Sequence, residues 1–274
     1  MLLHSVYLYV VEFQNMQTET KLSLDKIAIK KIGNYSNKPT IIFLHDSLGC
    51  IELWRDFPQQ LSDFAQCNVL VYDRQGYGKS SPFSYSKRDN YYVELEADIL
   101  NELLNYWQIE KAILFGHSDG GSIALITAAK YPTKILGIIT EGAHVFVEDI
   151  TLKGINEAKV QFETTDLKTK LEKYHGEKTE AMFWAWASTW TTDEFKSWNI
   201  ENFLPMIECN SLIIQGEEDE FGSLMQVESI VKNSRGNSEK LIIPNIKHNP
   251  HKETPELILE KSSEFINQFT NEKF

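Results

Sequence analysis

An α/β fold with a mostly parallel central sheet, flanked by helices and carrying one helical insertion, is what this sequence predicts. Three observations carry that expectation. Short apolar runs alternate with longer amphipathic ones, a strand–turn–helix signature centred on a serine lies near the middle, and the alternation breaks once, between about 145 and 206. Alternation of this kind builds βαβ units whose helices cover the sheet.

The strands come first. Thr40–Leu44, Asn68–Tyr72 and Ala112–Phe115 are continuous apolar runs, and 135–139, 211–214 and 240–244 repeat the pattern. Runs apolar on every residue read as strands buried on both faces, as in a parallel sheet. Between them lie helical candidates at about 52–65, 90–107, 120–130, 223–233 and 255–270. In the second of these, Val93, Ala97, Leu100, Leu104 and Trp107 form one apolar stripe. The segment 3–13 is apolar but lacks a basic n-region or a small-x-small cleavage site, so it reads as a first strand rather than a signal peptide.

The interruption at 145–206 is polar, helical and rich in tryptophan, with Trp184, Trp186, Trp190 and Trp198 within it. Placed between two strands of a parallel sheet, it stands over their C-terminal ends and roofs the crevice there. The expected organisation is a core domain, 1–144 and 207–274, with a helical cap at 145–206.

Length and charge bound the rest. A chain of 274 residues suits one large α/β domain or a core carrying an insertion, and its 42% hydrophobic content fills a sizeable core. Net charge is −12, with 39 acidic against 27 basic side chains, which argues against nucleic acid or an anionic membrane as partner. No run approaches the roughly 18 apolar residues of a membrane span. Cys50, Cys67 and Cys209 are odd in number and far apart, fitting neither a disulfide framework nor a CxxC metal site. Reduced thiols in a cytoplasmic protein account for them, and the sequon at Asn34-Tyr35-Ser36 is then fortuitous. The expectation is a monomer or homodimer acting on a small molecule, with no metal and no cofactor.

Chemistry is signalled most strongly at Gly116-His117-Ser118-Asp119-Gly120. An apolar strand runs straight into Gly-x-Ser-x-Gly, and a helix rich in small residues follows, which is the setting a nucleophile elbow requires. The sharp turn exposes the Ser118 hydroxyl at a helix N-terminus, where negative charge is favoured. A hydroxyl is a poor nucleophile alone and needs a base that is itself oriented by a third group. Two later segments supply these in the order Ser, acid, His. After the strand at 211–214 come Glu217, Glu218, Asp219 and Glu220; after the strand at 240–244 come His248 and His251. His248 is nearer its strand. The run 76–80 ends like a P-loop, but Asp73 stands where that motif needs glycine, so nucleotide binding is not supported.

Taken together, these motifs resemble the α/β-hydrolase superfamily over nearly the full length. Phe43-Leu-His45-Asp46-Ser47-Leu-Gly49 is similar to its His-Gly-x-x-Gly loop, with Asp46 in place of the usual glycine. Asp73-Arg74-Gln75-Gly76-Tyr77-Gly78-Lys79-Ser80 is similar to its Asp-x-Arg-Gly-x-Gly-x-Ser segment, with the arginine displaced by one position. The resemblance implies Asp219 as the acid, through Gly216-x-x-Asp219, and a triad of Ser118, Asp219 and His248. It also implies an oxyanion hole from the backbone N–H groups of Ser47 and Asp119, with Asp46 bearing on the first of these.

Within the superfamily the chain is most similar to valacyclovir-hydrolase-like (biphenyl hydrolase-like) enzymes, through Ser118-Asp-Gly-Gly121, Ala128–Pro132, Gly142-Ala143 and Lys247-His248-Asn249. The insertion does not share the likeness. By that resemblance Asp119 receives the α-amino group of an amino-acid ester; aspartate at a helix start also suits the turn in its own right. Trp184, Trp186, Trp190 and His144 are the other candidate substrate contacts, with His175 a weaker one. Aromatics at this spacing also serve helix-to-core packing. The expected activity is hydrolysis of a small ester through an acyl-enzyme. The alternatives are a C–C bond, thioester or amide hydrolase on the same triad, or a non-catalytic ligand-binding or signalling protein of the same fold.

Overall fold

The computed structural model describes residues 23–85 and 88–269, and the strand expected at 3–13 lies outside the described residues. Seven strands form one sheet: β1 (Ile29–Ile32), β2 (Thr40–Leu44), β3 (Asn68–Tyr72), β4 (Ala112–His117), β5 (Ile135–Glu141), β6 (Asn210–Gly216) and β7 (Ser238–Ile243). Their spatial order is β1-β3-β2-β4-β5-β6-β7. Every neighbouring pair is parallel except β1 with β3.

Strands β2, β3 and β4 have the apolar runs of a sheet covered on both sides, and the structure divides their side chains by the two-residue pleat. Ile42, Leu44, Leu70, Tyr72 and Leu114 join the core on one face; Ile41, Phe43, Val69, Val71, Ile113 and Phe115 join the core on the other. The first face is covered by α2 (Tyr92–Tyr106) and α3 (Asp119–Lys130), the second by α1 (Phe57–Ala65) and α9 (Pro255–Asn267). Helix α7 (Leu224–Asn233) and the short α8 (Pro250–Glu253) complete the core elements.

Two elements depart from the expectation. The helix expected from 52 divides into a 3-10 turn, Ile51–Trp54, and α1, because Arg55 adopts φ 54° and Pro58 restarts the helix in its first turn. Strand β1 was not foreseen: Ile29-Lys-Lys-Ile32 is mostly exposed and owes its conformation to pairing with β3 rather than to burial. Its lysines suit an edge strand, where charge discourages further pairing.

The insertion holds α4 (Asp149–Thr164), α5 (Leu167–His175) and α6 (Thr179–Trp190). Phe183, Trp186 and Trp190 share the buried stripe of α6, whereas Trp184 is half-buried against Phe162 and Phe183. A bridge between Phe146 and Asn199 closes the neck of the insertion, and the turn Glu201–Met206 packs on α3. Its last residues thus belong to the layer over the sheet. Two side chains tie the insertion down from the other end. His175 accepts the Gly78 N–H at Nδ1 (2.9 Å) and donates from Nε2 to the Leu48 carbonyl (3.1 Å). Lys178 donates to the carbonyls of Gly78 (2.7 Å) and Ser80 (2.8 Å).

The topology decides where a site forms. The chain runs from β2 outward to β3 and then crosses back to β4 on the other side of β2, so β2 and β4 flank a switch point at their C-terminal ends. Leu44 pairs with Gly116, which puts the loop that starts at His45 beside the turn at Ser118. Close approach depends on glycine. A Cβ on Gly120 would lie 2.0 Å from the Leu44 carbonyl oxygen, and one on Gly116 would lie 2.2 Å from that of Gly120. Gly120→Ala is therefore expected to cost at least about 2 kcal/mol, since backbone on both sides leaves no side chain to yield. Urea denaturation against the parent chain measures this; an unchanged midpoint would show that α3 is free to shift.

Candidate active site

Ser118 follows β4 directly and caps α3, with φ 53° and ψ −120°. A non-glycine residue there is strained, and such strain persists where the surroundings over-determine it. Here the Ser118 N–H donates to the Glu141 carbonyl (2.8 Å), and its own carbonyl accepts from Gly121 (2.8 Å) and Ser122 (3.1 Å). The residue is 9% exposed. Asp119, next along, occupies the first helical position, where backbone N–H groups have no partner within the helix.

Of the four carboxylates after β6, only Asp219 is buried; Glu217, Glu218 and Glu220 are exposed. Both Asp219 oxygens lie 2.9 Å from His248 Nδ1. Asp219 Oδ1 also accepts from the amides of Phe221 (2.8 Å) and Gly222 (3.3 Å), which fixes the carboxylate plane. With Nδ1 donating, Nε2 is the nitrogen left to act as base. Burial opposes charge on both partners, but their mutual attraction prevails: the pKa of His248 is raised and that of Asp219 lowered.

His248 is held beside the elbow from behind. Its carbonyl accepts from His117 Nε2 (2.8 Å), on the residue before Ser118. Gly142, with φ 55°, leaves room for the ring: a Cβ there would lie 2.8 Å from His248 Cε1. Gly216 does the same for the loop, since a Cβ would lie 2.1 Å from the Ile246 carbonyl oxygen.

His251 has a different partner. Its Nδ1 is 2.6 Å from Glu141 Oε2, at the end of β5. Burial raises the Glu141 pKa and lowers that of His251. Burial likewise lowers the pKa of His117 and His144. Burial thus disfavours charge on the imidazoles around His248, whereas Asp219 favours it on His248 itself.

The loop after β2 is built around Asp46. His45 donates from Nδ1 to the Asp46 carbonyl (2.7 Å) and accepts the Arg74 N–H at Nε2 (3.0 Å). Burial, then Arg74, keep its pKa well down, which keeps this tautomer neutral. The Asp46 side chain occupies the space that Gly49 leaves, since a Cβ on Gly49 would lie 1.9 Å from Asp46 Oδ1. Its other oxygen faces His117 Nδ1 at 3.9 Å, and Ser47 is buried in the same turn.

Among the other expected contacts, Asp119 is placed differently from a free ammonium anchor. Tyr92 Oη donates to its two oxygens (3.1 and 3.0 Å), and Arg74 Nη1 lies 3.6 Å from Oδ2. A carboxylate so compensated has little unmet charge to offer a ligand. His144 donates from Nε2 to the Phe221 carbonyl (3.0 Å), and its ring centroid is 6.0 Å from that of His248. Trp190 lies 5.4 Å from His144, and Trp186 reaches Phe221, whose ring is 4.8 Å from His248. Trp184 meets Phe162 and Phe183 of the insertion, not these residues. Arg74, Arg88, Tyr92, Glu141 and Gly142 were not anticipated as site residues. A displaced arginine and a carboxylate closing an apolar strand were the available signals for Arg74 and Glu141; Arg88 and Tyr92 carried none.

Comparison with known proteins accords with this architecture. Residues 39–199 match the model of the alpha/beta hydrolase fold family. The chain is 28% identical over 250 residues to serine hydrolase BPHL of Homo sapiens, covering 87% of this chain and 83% of that one. It is 27% identical over 249 residues to 2-succinyl-6-hydroxy-2,4-cyclohexadiene-1-carboxylate synthase of Enterobacter sp. (strain 638), covering 79% and 87%. Among solved structures, MGS-M2, an alpha/beta hydrolase enzyme from a Medee basin deep-sea metagenome library, superposes with a TM-score of 0.72 at 20% identity, covering 90% of this chain and 96% of that one. With more than half its length matched by the family model, its sheet order and its elbow, the chain belongs to the alpha/beta hydrolase fold family.

Proposed function

We propose that the chain is a serine hydrolase that cleaves a small carboxylic ester, with Ser118 as nucleophile, His248 as base and Asp219 as the group that orients it. One observation carries the reading: a serine held at φ 53° on a helix N-terminus, beside a buried His248–Asp219 pair with both oxygens at 2.9 Å.

His248 Nε2 takes the Ser118 proton as Oγ bonds to the ester carbonyl carbon, and Asp219 stabilises the imidazolium so formed. The oxyanion develops against the N–H groups of Asp119 and Ser47, each worth about 3 kcal/mol. The C–O bond to the alcohol then breaks, and His248 returns the proton to the departing oxygen. Water attacks the acyl-enzyme by the same route, giving the acid and free Ser118. The insertion acts as a cap. Its Trp186 and Trp190, with Phe221 beside His248, favour an apolar or aromatic group on one side of the ester. Engagement of Asp119 by Tyr92 and Arg74 favours a plain ester over an amino-acid ester.

A fluorophosphonate probe is expected to label Ser118, with Ser118→Ala unlabelled and inactive on p-nitrophenyl acyl esters. Folded parent chain that takes up no probe would refute the nucleophile.

The signs of the pKa shifts give a pH dependence. His248 must be neutral to accept a proton, so its raised pKa puts the acidic limb of kcat/KM above the ordinary imidazole value near 6.5. In stability terms, the raised His248 contributes fully below about 6.5 and loses that contribution as pH rises through its folded value. The lowered Asp219 contributes above about 3.9 and loses it as pH falls through its folded value. Asp219→Asn removes the strongest opposition to burial at His248 and leaves only the weaker pull of Glu220 and Asp46. The His248 NMR titration is expected to shift below the ordinary imidazole range, with kcat reduced by three to four orders of magnitude, or about 10³–10⁴. An unmoved titration would mean that Asp219 is not the partner in solution.

Asp119→Asn is expected to lower kcat/KM by a similar factor for an amino-acid ester and for the same ester without the amine. A loss confined to the amino ester, in paired kinetic assays, would restore the ammonium role.

A further inference from the structure

On the Asp119 side of the elbow four charged side chains lie buried together, Arg74, Arg88, Glu96 and Asp119, two cations and two anions. Buried charges are tolerated when they are paired and hydrogen-bonded. Here the pairing also makes a mechanical connection. Arg74 Nη2 donates to the carbonyls of Asp46 (2.9 Å) and His45 (3.4 Å), while Nε and Nη1 have no hydrogen-bond partner among the described residues. The hydrogen bonds of its guanidinium therefore go to the loop that presents Ser47. On the other side, Nη1 faces Asp119 Oδ2 at 3.6 Å. Asp119 accepts from Tyr92 Oη (3.1 and 3.0 Å), and Tyr92 Oη accepts from Trp190 Nε1 (2.7 Å).

The two hydrogen bonds have one possible sense each, since an indole N–H only donates and the phenol accepts it and passes its single proton to the carboxylate; the last link, Asp119 to Arg74, is an ion pair at 3.6 Å. The chain starts on α6 of the insertion and ends on the loop after β2, passing through the residue next to Ser118. Arg88 clamps it from the side: it lies 4.3 Å over the Tyr92 ring and donates to Tyr77 Oη (2.8 Å), while Arg74 lies 4.6 Å over the Tyr77 ring.

The geometry points to Trp190, Tyr92, the Asp119 carboxylate and Arg74 as a positioning relay that couples the seating of the insertion to the spacing of the two oxyanion donors, Ser47 N–H and Asp119 N–H. This inference rests on the reading of Ser118 as nucleophile. None of the relay side chains needs to touch the reacting atoms. Their effect falls on the transition state, because the donors serve the oxyanion and not the ground-state carbonyl. It also gives Asp119 a use for its side chain that requires no substrate amine.

The test is a double-mutant cycle in the full chain with a p-nitrophenyl ester. Tyr92→Phe and Trp190→Phe break successive links. Each is expected to lower kcat about tenfold; KM is to stay within about twofold for Tyr92→Phe, while Trp190→Phe, which also borders the substrate side, is read on kcat alone, and the double variant is to match the kcat of Tyr92→Phe alone, since the chain is already cut. Affinity for an alkyl boronic acid, whose tetrahedral adduct places an oxygen in the hole, is to fall in parallel with kcat. Should Trp190→Phe melt below the assay temperature, Tyr92→Phe paired with Arg74→Lys tests the same non-additivity. Multiplying effects on kcat, about a hundredfold in the double variant, or a Tyr92→Phe change confined to KM, overturns the relay while leaving the nucleophile standing. A parent chain inert to both probe and ester overturns the nucleophile and the relay with it.

Discussion

Helix α3 lies against strand β2 more closely than side chains allow, and the candidate site depends on that contact. Gly120 is the pivot: its missing Cβ lets the helix N-terminus meet the Leu44 backbone, where any other residue would overlap a carbonyl oxygen. Because β2 and β4 are paired in register at Leu44 and Gly116, the same contact brings the loop at His45 against the turn at Ser118. The strained backbone at Ser118 is held by hydrogen bonds on both sides, and those bonds belong to the sheet and the helix rather than to the turn. A change that lets α3 move away therefore relaxes the turn, the loop and the helix N-terminus together.

Around that pivot the structure sorts its buried ionisable groups by partner. Two carboxylate–imidazole pairs stand close together, Asp219–His248 and Glu141–His251. They differ in what else reaches the carboxylate. Asp219 is fixed by the backbone amides of Phe221 and Gly222, which favour its ionised form and through it a protonated His248. Glu141 is wholly buried with one oxygen lacking a hydrogen-bond partner among the described residues, so its charge is penalised, and burial disfavours charge on its partner too. The first arrangement suits proton transfer; the second suits holding α8 to the sheet. His117 links them, donating to the His248 carbonyl while its ring lies 5.0 Å from that of His251.

The departures from the family pattern fit one another. Asp46 replaces a glycine, and its side chain is accommodated because Gly49 lacks one. The displaced Arg74 supplies donors to the carbonyls of the same loop. The two departures thus meet at one loop, where Arg74 holds the backbone and Gly49 makes room for the Asp46 side chain; the first contact joins residues 28 positions apart, out of reach of local pattern.

Local pattern was enough for a large part of this. Unbroken apolar runs marked the buried parallel strands, since a strand covered on both faces has no polar side to show. The glycine spacing around Ser118 marked the elbow, because that turn admits few other residues. The order of later acids and histidines narrowed the partners to a handful. What local pattern leaves open is choice among near neighbours of like chemistry. Asp219 differs from Glu217, Glu218 and Glu220 in burial, and His248 from His251 in partner, and both differences arise only when β6 and β7 lie side by side. Strand β1 was illegible because its partner, not its composition, makes it a strand. The sequence by itself determined the fold class and the nucleophile candidate, through short-range periodicity and turn chemistry. Only the tertiary structure decided which way the Asp119 carboxylate is engaged, because Arg74 and Tyr92 converge on it, with Trp190 bonded to Tyr92, from three separate parts of the chain.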